Sequence, residues 1–122
     1  MNLKKRLILF SGGWTNPHIV DWFGDYANIV FSFYADRVKT WLTINEAITV
    51  CDFGYSNGTF APGILEPIHA PFLCNKYILL SHARAYRIYH QKYSFGKGKL
   101  RFVCICMYII RNYEYYTLFM NI

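Results

Sequence analysis

The sequence predicts an α/β fold in which helices alternate with parallel strands. Apolar residues recur at intervals of three and four over residues 17–34 and 71–89, which is the period of an amphipathic helix. Residues 38–44 are rich in β-branched and aromatic side chains, and residues 100–110 are almost entirely apolar, as expected for a strand buried on both faces. The order helix, strand, loop, helix, strand favours a parallel sheet or barrel, in which sites lie at the carboxyl ends of the strands.

The first helix has a start signal at Asn16-Pro17, because an asparagine side chain can cap a helix and proline fits its first position. Its predicted apolar face consists of Ile19, Phe23, Tyr26, Ala27, Val30 and Tyr34. Residues 35–37 break this period, so we expect the helix to end there and the strand to follow.

A long loop is predicted over residues 51–67, since glycines and prolines are spread along this segment and Asn57-Gly58 is a turn signal. Loops of this length without structure of their own are usually functional. The second helix follows the loop, and its predicted apolar face consists of Phe72, Leu79, Ala83 and Tyr86. The residues Gly96-Lys97-Gly98 are expected to end it.

The composition is that of one globular domain. The 122 residues suffice for a single hydrophobic core, and a hydrophobic fraction of 54% with 16% charged residues excludes an intrinsically disordered chain. Aromatic residues make up 20% of the sequence, which is more than a small self-contained core needs. We therefore expect a large apolar surface that another part of a protein must cover.

Neither the net charge nor the apolar segments of the sequence indicate a macromolecular partner. The net charge of +6 permits nucleic acid or an anionic membrane as a partner, but much of the excess lies at the N-terminus and around residues 92–101, outside the predicted packed elements. We therefore predict no nucleic acid partner. The apolar residues 102–110 are too few for a membrane span, which needs about 20. The apolar residues 7–10 are too few for a secretory signal peptide, so the compartment is left open.

Asn45 and Glu46 are the predicted site residues, because they follow the clearest strand and precede the glycine-rich loop. A carboxyl group held partly out of water at such a place can donate a proton near neutral pH, and the adjacent amide can hydrogen-bond a substrate hydroxyl. This pair suits a sugar substrate. The alternative is a glutamate in solvent at the end of a strand, beside a turn-forming asparagine.

Five stretches of sequence resemble one enzyme family: Gly12-Gly13-Trp14-Thr15-Asn16-Pro17, Asp25-Tyr26-Ala27-Asn28, Asp36-Arg37-Val38-Lys39-Thr40-Trp41-Leu42-Thr43-Ile44-Asn45-Glu46, Phe60-Ala61-Pro62-Gly63 and His82-Ala83-Arg84-Ala85-Tyr86. Together they resemble glycoside hydrolase family 1, in particular animal β-glucosidases and myrosinase-like enzymes, over residues 12–99. The resemblance implies a (β/α)8 TIM barrel in which the Thr-x-Asn-Glu motif closes the fourth strand. The chain would supply about the third helix to the fifth strand, an incomplete barrel, because a whole one needs about 250 residues.

The resemblance also implies roles for the site residues. Glu46 is the general acid/base, which protonates the glycosidic oxygen and later activates water, and Asn45 contacts the hydroxyl next to the reacting carbon. The family is retaining, so a second carboxylate about 5 to 5.5 Å away must attack the sugar. The family's motif for that nucleophile is of the Thr-Glu-Asn-Gly type, which these 122 residues do not contain, and neither Glu66 nor Glu114 has matching neighbours. Proline normally follows the acid/base, whereas this chain has Ala47.

The resemblance divides the chain into a non-homologous segment 1–11, a partial family domain 12–99 and a divergent tail 100–122, interpreted as read-through. It predicts a hydrolase of β-O-glucosides or thioglucosides whose 122 residues are inactive alone, because they lack the nucleophile. The alternative is a non-catalytic remnant that binds sugar or another protein through an exposed aromatic face. A small basic binder of nucleic acid or membranes rests on charge alone and ranks last.

Cys51 and Cys74 flank the predicted loop, and animal members of the family carry cysteines in similar places. The resemblance therefore implies a disulfide that pins the loop, with two buried thiols as the alternative. In the same loop Asn57-Gly58-Thr59 is an N-glycosylation sequon, which is meaningful if the chain enters the secretory route.

No metal or cofactor site is predicted. Cys104 and Cys106 have no second pair of ligands with metal spacing, and the histidines are scattered along the chain. His82, on the second helix, is predicted to be a packing histidine and not a base.

Overall fold

The two predicted helices and two predicted strands occur along the chain in the predicted order, and the part of the chain that the structure describes adds one short α-helix and one strand. The computed structural model describes residues 11–96, 98–105 and 117–120. Its main elements are α1 (Ile19–Tyr34), β1 (Thr40–Asn45), α2 (Ala47–Cys51), α3 (Ala70–Lys92), β2 (Lys99–Ile105) and β3 (Thr117–Met120). Both predicted helices and both predicted strands are confirmed, with shifts of a few residues at their ends. Residues 106–110 of the second predicted strand, like segment 1–10, lie outside the described residues.

The sheet is built on a parallel pair, as predicted. β1 pairs with β2 from Thr40 opposite Lys99 to Asn45 opposite Val103. α2 and α3 form the crossover between the two strands, which a parallel pair requires. β3, which the sequence did not predict, pairs antiparallel with β2 on its other side, so the strand order is β1-β2-β3. Over the described residues the sheet is open and does not close into a barrel.

Two clusters of buried side chains lie between the helices and the sheet. The first, near the end of β1, contains Ile44, Ala47, Cys51, Tyr55, Ala70, Cys74 and Ile78. The second contains Ala27, Phe31, Ala35, Ala85, Tyr89 and Leu100. Within it Phe31 lies edge-on to Trp41 and Tyr89, with ring centroids 5.0 and 5.1 Å apart, an arrangement that the ring quadrupoles favour. These aromatic contacts join α1, α3 and β1.

The predicted apolar face of α1 was partly wrong. Tyr26 is 62% exposed, whereas Gly24, Ala27 and Phe31 are buried. The reason is that α1 and α3 pack closely through small residues. The Arg84 side chain of α3 crosses Gly24, and a Cβ atom at that position would lie 2.5 Å from the Arg84 Nε. Hydrophobic periodicity does not count glycine as an apolar residue, so the predicted face of the helix consisted mainly of larger side chains.

The predicted face of α3 was also partly wrong, although Tyr86 packs against the second cluster as expected. Phe72 is 70% exposed and Leu79 is exposed too. The buried face consists of Ala70, Cys74, Ile78, Ser81, His82, Ala85 and Tyr89. Several of these side chains are small or polar and are buried because their partners lie on distant elements. Apolar spacing within one helix contains no information about such partners.

The predicted long loop over residues 51–67 is shorter and more ordered in the structure. α2 includes Cys51, and Asp52–Ser56 forms a π-helical turn, so the loop begins at Asn57. The carbonyl groups at the end of a helix need hydrogen-bond donors. The loop backbone supplies them: Phe60 N–H donates to Phe53 O (2.8 Å), Ile64 N–H to Gly54 O (3.0 Å) and Glu66 N–H to Tyr55 O (3.2 Å). The loop therefore folds back along the helical turn.

Glu66 connects this loop to α3 as a helix cap. Its carboxylate accepts hydrogen bonds from the backbone N–H groups of Ile68 (3.3 Å), His69 (2.8 Å) and Ala70. The N–H of Ala70, followed by that of His69, lowers the pKa of the Glu66 carboxyl below its ordinary value. The free donors at the start of a helix favour a negative charge, which explains why a carboxylate lies here.

We expect the free energy of unfolding of Glu66→Gln to depend less on pH in the acid range than that of the wild type. Because the folded-state pKa of Glu66 is depressed, its stabilising contribution is fully present above the unfolded-state pKa near 4.5 and is lost as the pH falls through the folded-state value. Urea midpoints measured from pH 7 to pH 3 should therefore fall less steeply for this variant. Equal slopes for wild type and Glu66→Gln would contradict the capping role.

Candidate active site

Asn45 and Glu46 lie where the sequence places them, at the carboxyl end of a strand in a parallel pair. Asn45 is the last residue of β1, and Glu46 alone separates it from α2. The Asn45 side chain is exposed and that of Glu46 is half-buried. Both polar groups are therefore available to a ligand at this edge of the sheet.

A register break in β1 sets the direction of Asn45. Leu42 pairs with Arg101 and Ile44 pairs with Phe102, so β1 advances two residues while β2 advances one. Such a bulge shifts the in-and-out alternation of side chains by one residue. Ile44 is thus buried against the helices, and Asn45 returns to the open face of the sheet. Without the bulge the Asn45 amide would point toward the helices.

Glu46 adopts an unusual backbone conformation at the turn from β1 into α2. Its φ and ψ angles are 51° and 54°, and within the described residues it is the only non-glycine residue with positive φ. Such a conformation costs a glutamate on the order of 1 kcal/mol and is enriched at functional sites. The Glu46 carbonyl accepts the Val50 N–H at 3.0 Å, but its carboxylate makes no capping hydrogen bond to α2. The helix start therefore uses the backbone of Glu46 and leaves its carboxylate for other chemistry.

Thr43 and His82 hold the bulge from the helix side. The Thr43 Oγ1 lies 2.7 Å from the His82 Nδ1 and donates to the Arg101 carbonyl at 3.3 Å. His82 is 4% exposed, and its burial lowers the pKa of the imidazole below its ordinary value. His82 is thus a neutral structural group behind the strand, as predicted. Thr43 is the first residue of the Thr-x-Asn-Glu motif, and no signal in the sequence predicts its contact with His82.

A disulfide lies beneath the loop that follows the site. Cys51, at the end of α2, is bonded to Cys74 in α3, with Cα atoms 5.7 Å apart and a sequence separation of 23. Both cysteines are fully buried. The disulfide therefore joins the two helical segments that precede and follow the loop.

Tyr55 supports the same region from the first cluster. Its hydroxyl accepts the backbone N–H of Trp14 at 2.7 Å, and its ring is buried. Burial raises the pKa of the Tyr55 phenol above its ordinary value. Tyr55 is therefore an uncharged hydrogen-bond partner that ties residues 13–15 to the turn after α2.

Among the described residues Glu66 has another role and no cluster of metal ligands forms. Glu66 is engaged with the N-terminus of α3, and Glu114 lies outside the described residues. In the part of the chain that the structure describes, no three His, Cys, Asp or Glu side chains come together as metal ligands. The side chains of Cys104 and Cys106 lie outside that part. No helix among the described residues is long and apolar enough to cross a membrane.

The glycosyl hydrolase family 1 model matches residues 2–110. The chain belongs to this family. The match extends at both ends beyond residues 12–99, over which the sequence motifs occur. It agrees with the α/β order, the parallel pair and the Asn45-Glu46 turn.

Three relatives show how this family 1 chain relates to whole proteins. Beta-glucosidase 42 of Arabidopsis thaliana is 46% identical over 98 residues, which cover 80% of this chain and 20% of that protein. The family 1 β-glucosidase of Thermotoga maritima superposes with a TM-score of 0.74 at 35% identity, covering 80% of this chain and 22% of that one. Aphid myrosinase superposes with a TM-score of 0.73 at 35% identity, covering 78% and 21%. The chain thus spans about a fifth of the length of each.

Proposed function

We propose that this chain carries the acid/base part of the active site of a retaining β-glucosidase. Glu46 is the general acid/base, and Asn45 hydrogen-bonds the sugar hydroxyl next to the reacting carbon. The observation that carries the proposal is the turn at Glu46, where a strained backbone holds a carboxylate that the neighbouring helix does not use. The bulge at Thr43 supports the role of Asn45, because it turns the amide to the open face.

The proposed reaction has two steps, and Glu46 acts in both. In the first step a carboxylate nucleophile attacks the anomeric carbon, the bond to the glycosidic oxygen breaks, and Glu46 gives its proton to that oxygen. In the second step Glu46, now a carboxylate, takes a proton from the water that displaces the enzyme carboxylate from the sugar. The nucleophile must lie about 5 to 5.5 Å from Glu46 and must come from residues other than these 122.

Within the proposed barrel, α1 is the third helix, β1 the fourth strand, α3 the fourth helix and β2 the fifth strand. The helices would then lie on the outside, and the open face of β1, with Leu42 and Asn45, would line the interior. That arrangement explains why Leu42 is exposed here although it lies in a central position of a strand. The apolar surface expected from composition would be covered by the other elements of the barrel.

The proposed substrate class is the β-O-glucosides, with thioglucosides as the second candidate. The relatives include two β-glucosidases and a myrosinase. An alkoxide leaving group needs a proton from an acid, whereas a thiolate is a better leaving group and needs less help. A carboxyl group at position 46 therefore favours an oxygen leaving group.

A chimera tests the proposal. We expect the Thermotoga maritima β-glucosidase to hydrolyse an aryl β-glucoside after its matching segment is replaced by residues 12–99 of this chain, with net retention at the anomeric carbon measured by NMR. The 122-residue chain alone should show no turnover, because it lacks the nucleophile. A folded chimera without activity would contradict the assignment, and turnover by the chain alone would contradict the missing nucleophile. Saturable binding of cellobiose to the isolated chain would instead favour a sugar-binding remnant.

A further inference from the structure

The sequon Asn57-Gly58-Thr59 lies at an exposed tip of the loop after the π-helical turn. Asn57 and Thr59 are both exposed, and Gly58 has φ of 70°, a conformation that glycine adopts without strain. The Asn57 Oδ1 accepts the backbone N–H of Thr59 at 3.0 Å. This hydrogen bond uses only the amide oxygen, so the Asn57 Nδ2 faces the solvent without a hydrogen-bond acceptor among the described residues.

The base of this loop carries a second feature of the secretory route. Cys51 and Cys74 form a fully buried disulfide, and such bonds persist in oxidising compartments and are rare in the cytosol. The backbone N–H of Asn57 donates to Asp52 O at 3.1 Å, which joins the sequon directly to the turn that follows Cys51. The disulfide and the sequon are independent observations in one loop, and both fit the compartment in which asparagine is glycosylated.

We propose that Asn57 is an N-glycosylation site and that the folded loop accommodates the glycan. The co-reactant is an oligosaccharide linked to a polyprenyl diphosphate. The Asn57 Nδ2 forms a bond to the anomeric carbon of the first sugar, the bond from that carbon to the diphosphate oxygen breaks, and the lipid diphosphate leaves while the amide gives up one proton to a base. The Asn57 Oδ1 remains free to accept the Thr59 N–H, so the turn persists after the transfer.

The neighbouring contacts place the glycan on the water side of the loop. Next to Asn57, a Cβ atom on Gly58 would lie 3.0 Å from the Leu65 side chain, and Gly54 packs against the Ala61 carbonyl. Asn57 itself is exposed. A glycan on its Nδ2 can therefore extend into solvent without displacing the core.

The test is secretion of the full 122-residue chain from insect cells behind a cleavable leader, with the mass measured before and after treatment with peptide N-glycosidase. We expect the wild-type chain to lose one glycan, and Asn57→Gln and Thr59→Ala to carry none. Thr59→Ser, which keeps the hydroxyl, and Asn75→Gln, whose asparagine lies in α3 outside any sequon, should retain the glycan. Glycan transfer precedes folding, so misfolding of a variant does not obscure this result.

Two outcomes would overturn the proposal. The first is an unglycosylated wild-type chain, or a glycan that survives in Asn57→Gln. The second is a glycosylated chain in which Cys51 and Cys74 both react with an alkylating reagent before reduction, because the folded loop would then not accommodate the glycan. Neither readout depends on glycosidase activity, so failure here is distinguishable from failure of the proposed function.

Discussion

Replacing Glu46 by glutamine in the active chimera is expected to lower kcat for an alkyl β-glucoside by about 10² to 10⁴-fold, the usual contribution of general acid–base catalysis. Glutamine keeps the size and the backbone turn but cannot donate the proton that an alkoxide leaving group needs. For a dinitrophenyl glucoside, whose leaving group departs unprotonated, the first step should be much less affected. The second step then limits the rate, so a burst of dinitrophenolate should precede slow turnover.

Azide gives this prediction a direct chemical readout. Azide attacks the glycosyl-enzyme without a general base, so it should restore dinitrophenyl glucoside turnover by Glu46→Gln and yield β-glucosyl azide. Glu66→Gln is the matched control: its carboxylate caps α3, and we expect kcat to stay at the level of the unmodified chimera. Unchanged hydrolysis of the alkyl glucoside by Glu46→Gln, or no azide product, would exclude Glu46 as the acid/base.

Removing the Cys51–Cys74 bond is expected to lower the free energy of unfolding by about 3 kcal/mol, since a cross-link over 23 residues restricts the unfolded chain. Both cysteines are fully buried between α2 and α3, so the loss also loosens the base of the loop after Glu46. The double variant Cys51→Ser/Cys74→Ser should therefore unfold at a lower urea concentration than the wild type under non-reducing conditions.

A reducing agent distinguishes the effect of losing the disulfide from any other effect of the two serine substitutions. It should lower the urea midpoint of the wild-type chain toward that of the double variant and leave the double variant itself unchanged. If the wild-type midpoint is insensitive to a reducing agent that demonstrably frees both thiols, the disulfide contributes nothing to stability and the loop is held by its backbone hydrogen bonds alone.

Features of this chain that depend on neighbouring residues can be predicted from the sequence, whereas features that depend on distant residues cannot. The order of helices and strands follows from apolar spacing, and Asn45-Glu46 can be placed at a strand end because a polar pair directly follows a β-branched segment. The motifs around them suffice for the resemblance that the family match confirms. These features depend on residues close together in the chain, which is why the sequence alone reveals them.

The directions of the side chains depend on tertiary contacts. The buried face of α1 includes Gly24 because Arg84 of α3 crosses it, and hydrophobic periodicity does not report a contact that requires the absence of a side chain. The segment after Cys51 is a helical turn and not an open loop, because residues 60–66 return to satisfy its carbonyl groups. The turn propensities of these residues do not predict that the chain comes back to form those hydrogen bonds.

Thus the sequence by itself determined the order of α1, β1, α3 and β2, the family and the position of Asn45 and Glu46. Only the tertiary structure decided that Asn45 points to the open face, because the bulge in β1 depends on the register with β2 and on the Thr43–His82 contact across 39 residues. It likewise decided the left-handed turn at Glu46, which exists because β1 and α2 are each fixed by their own packing. Alternation along a strand is a local property, but the residue at which it reverses is set by the neighbouring strand and helix.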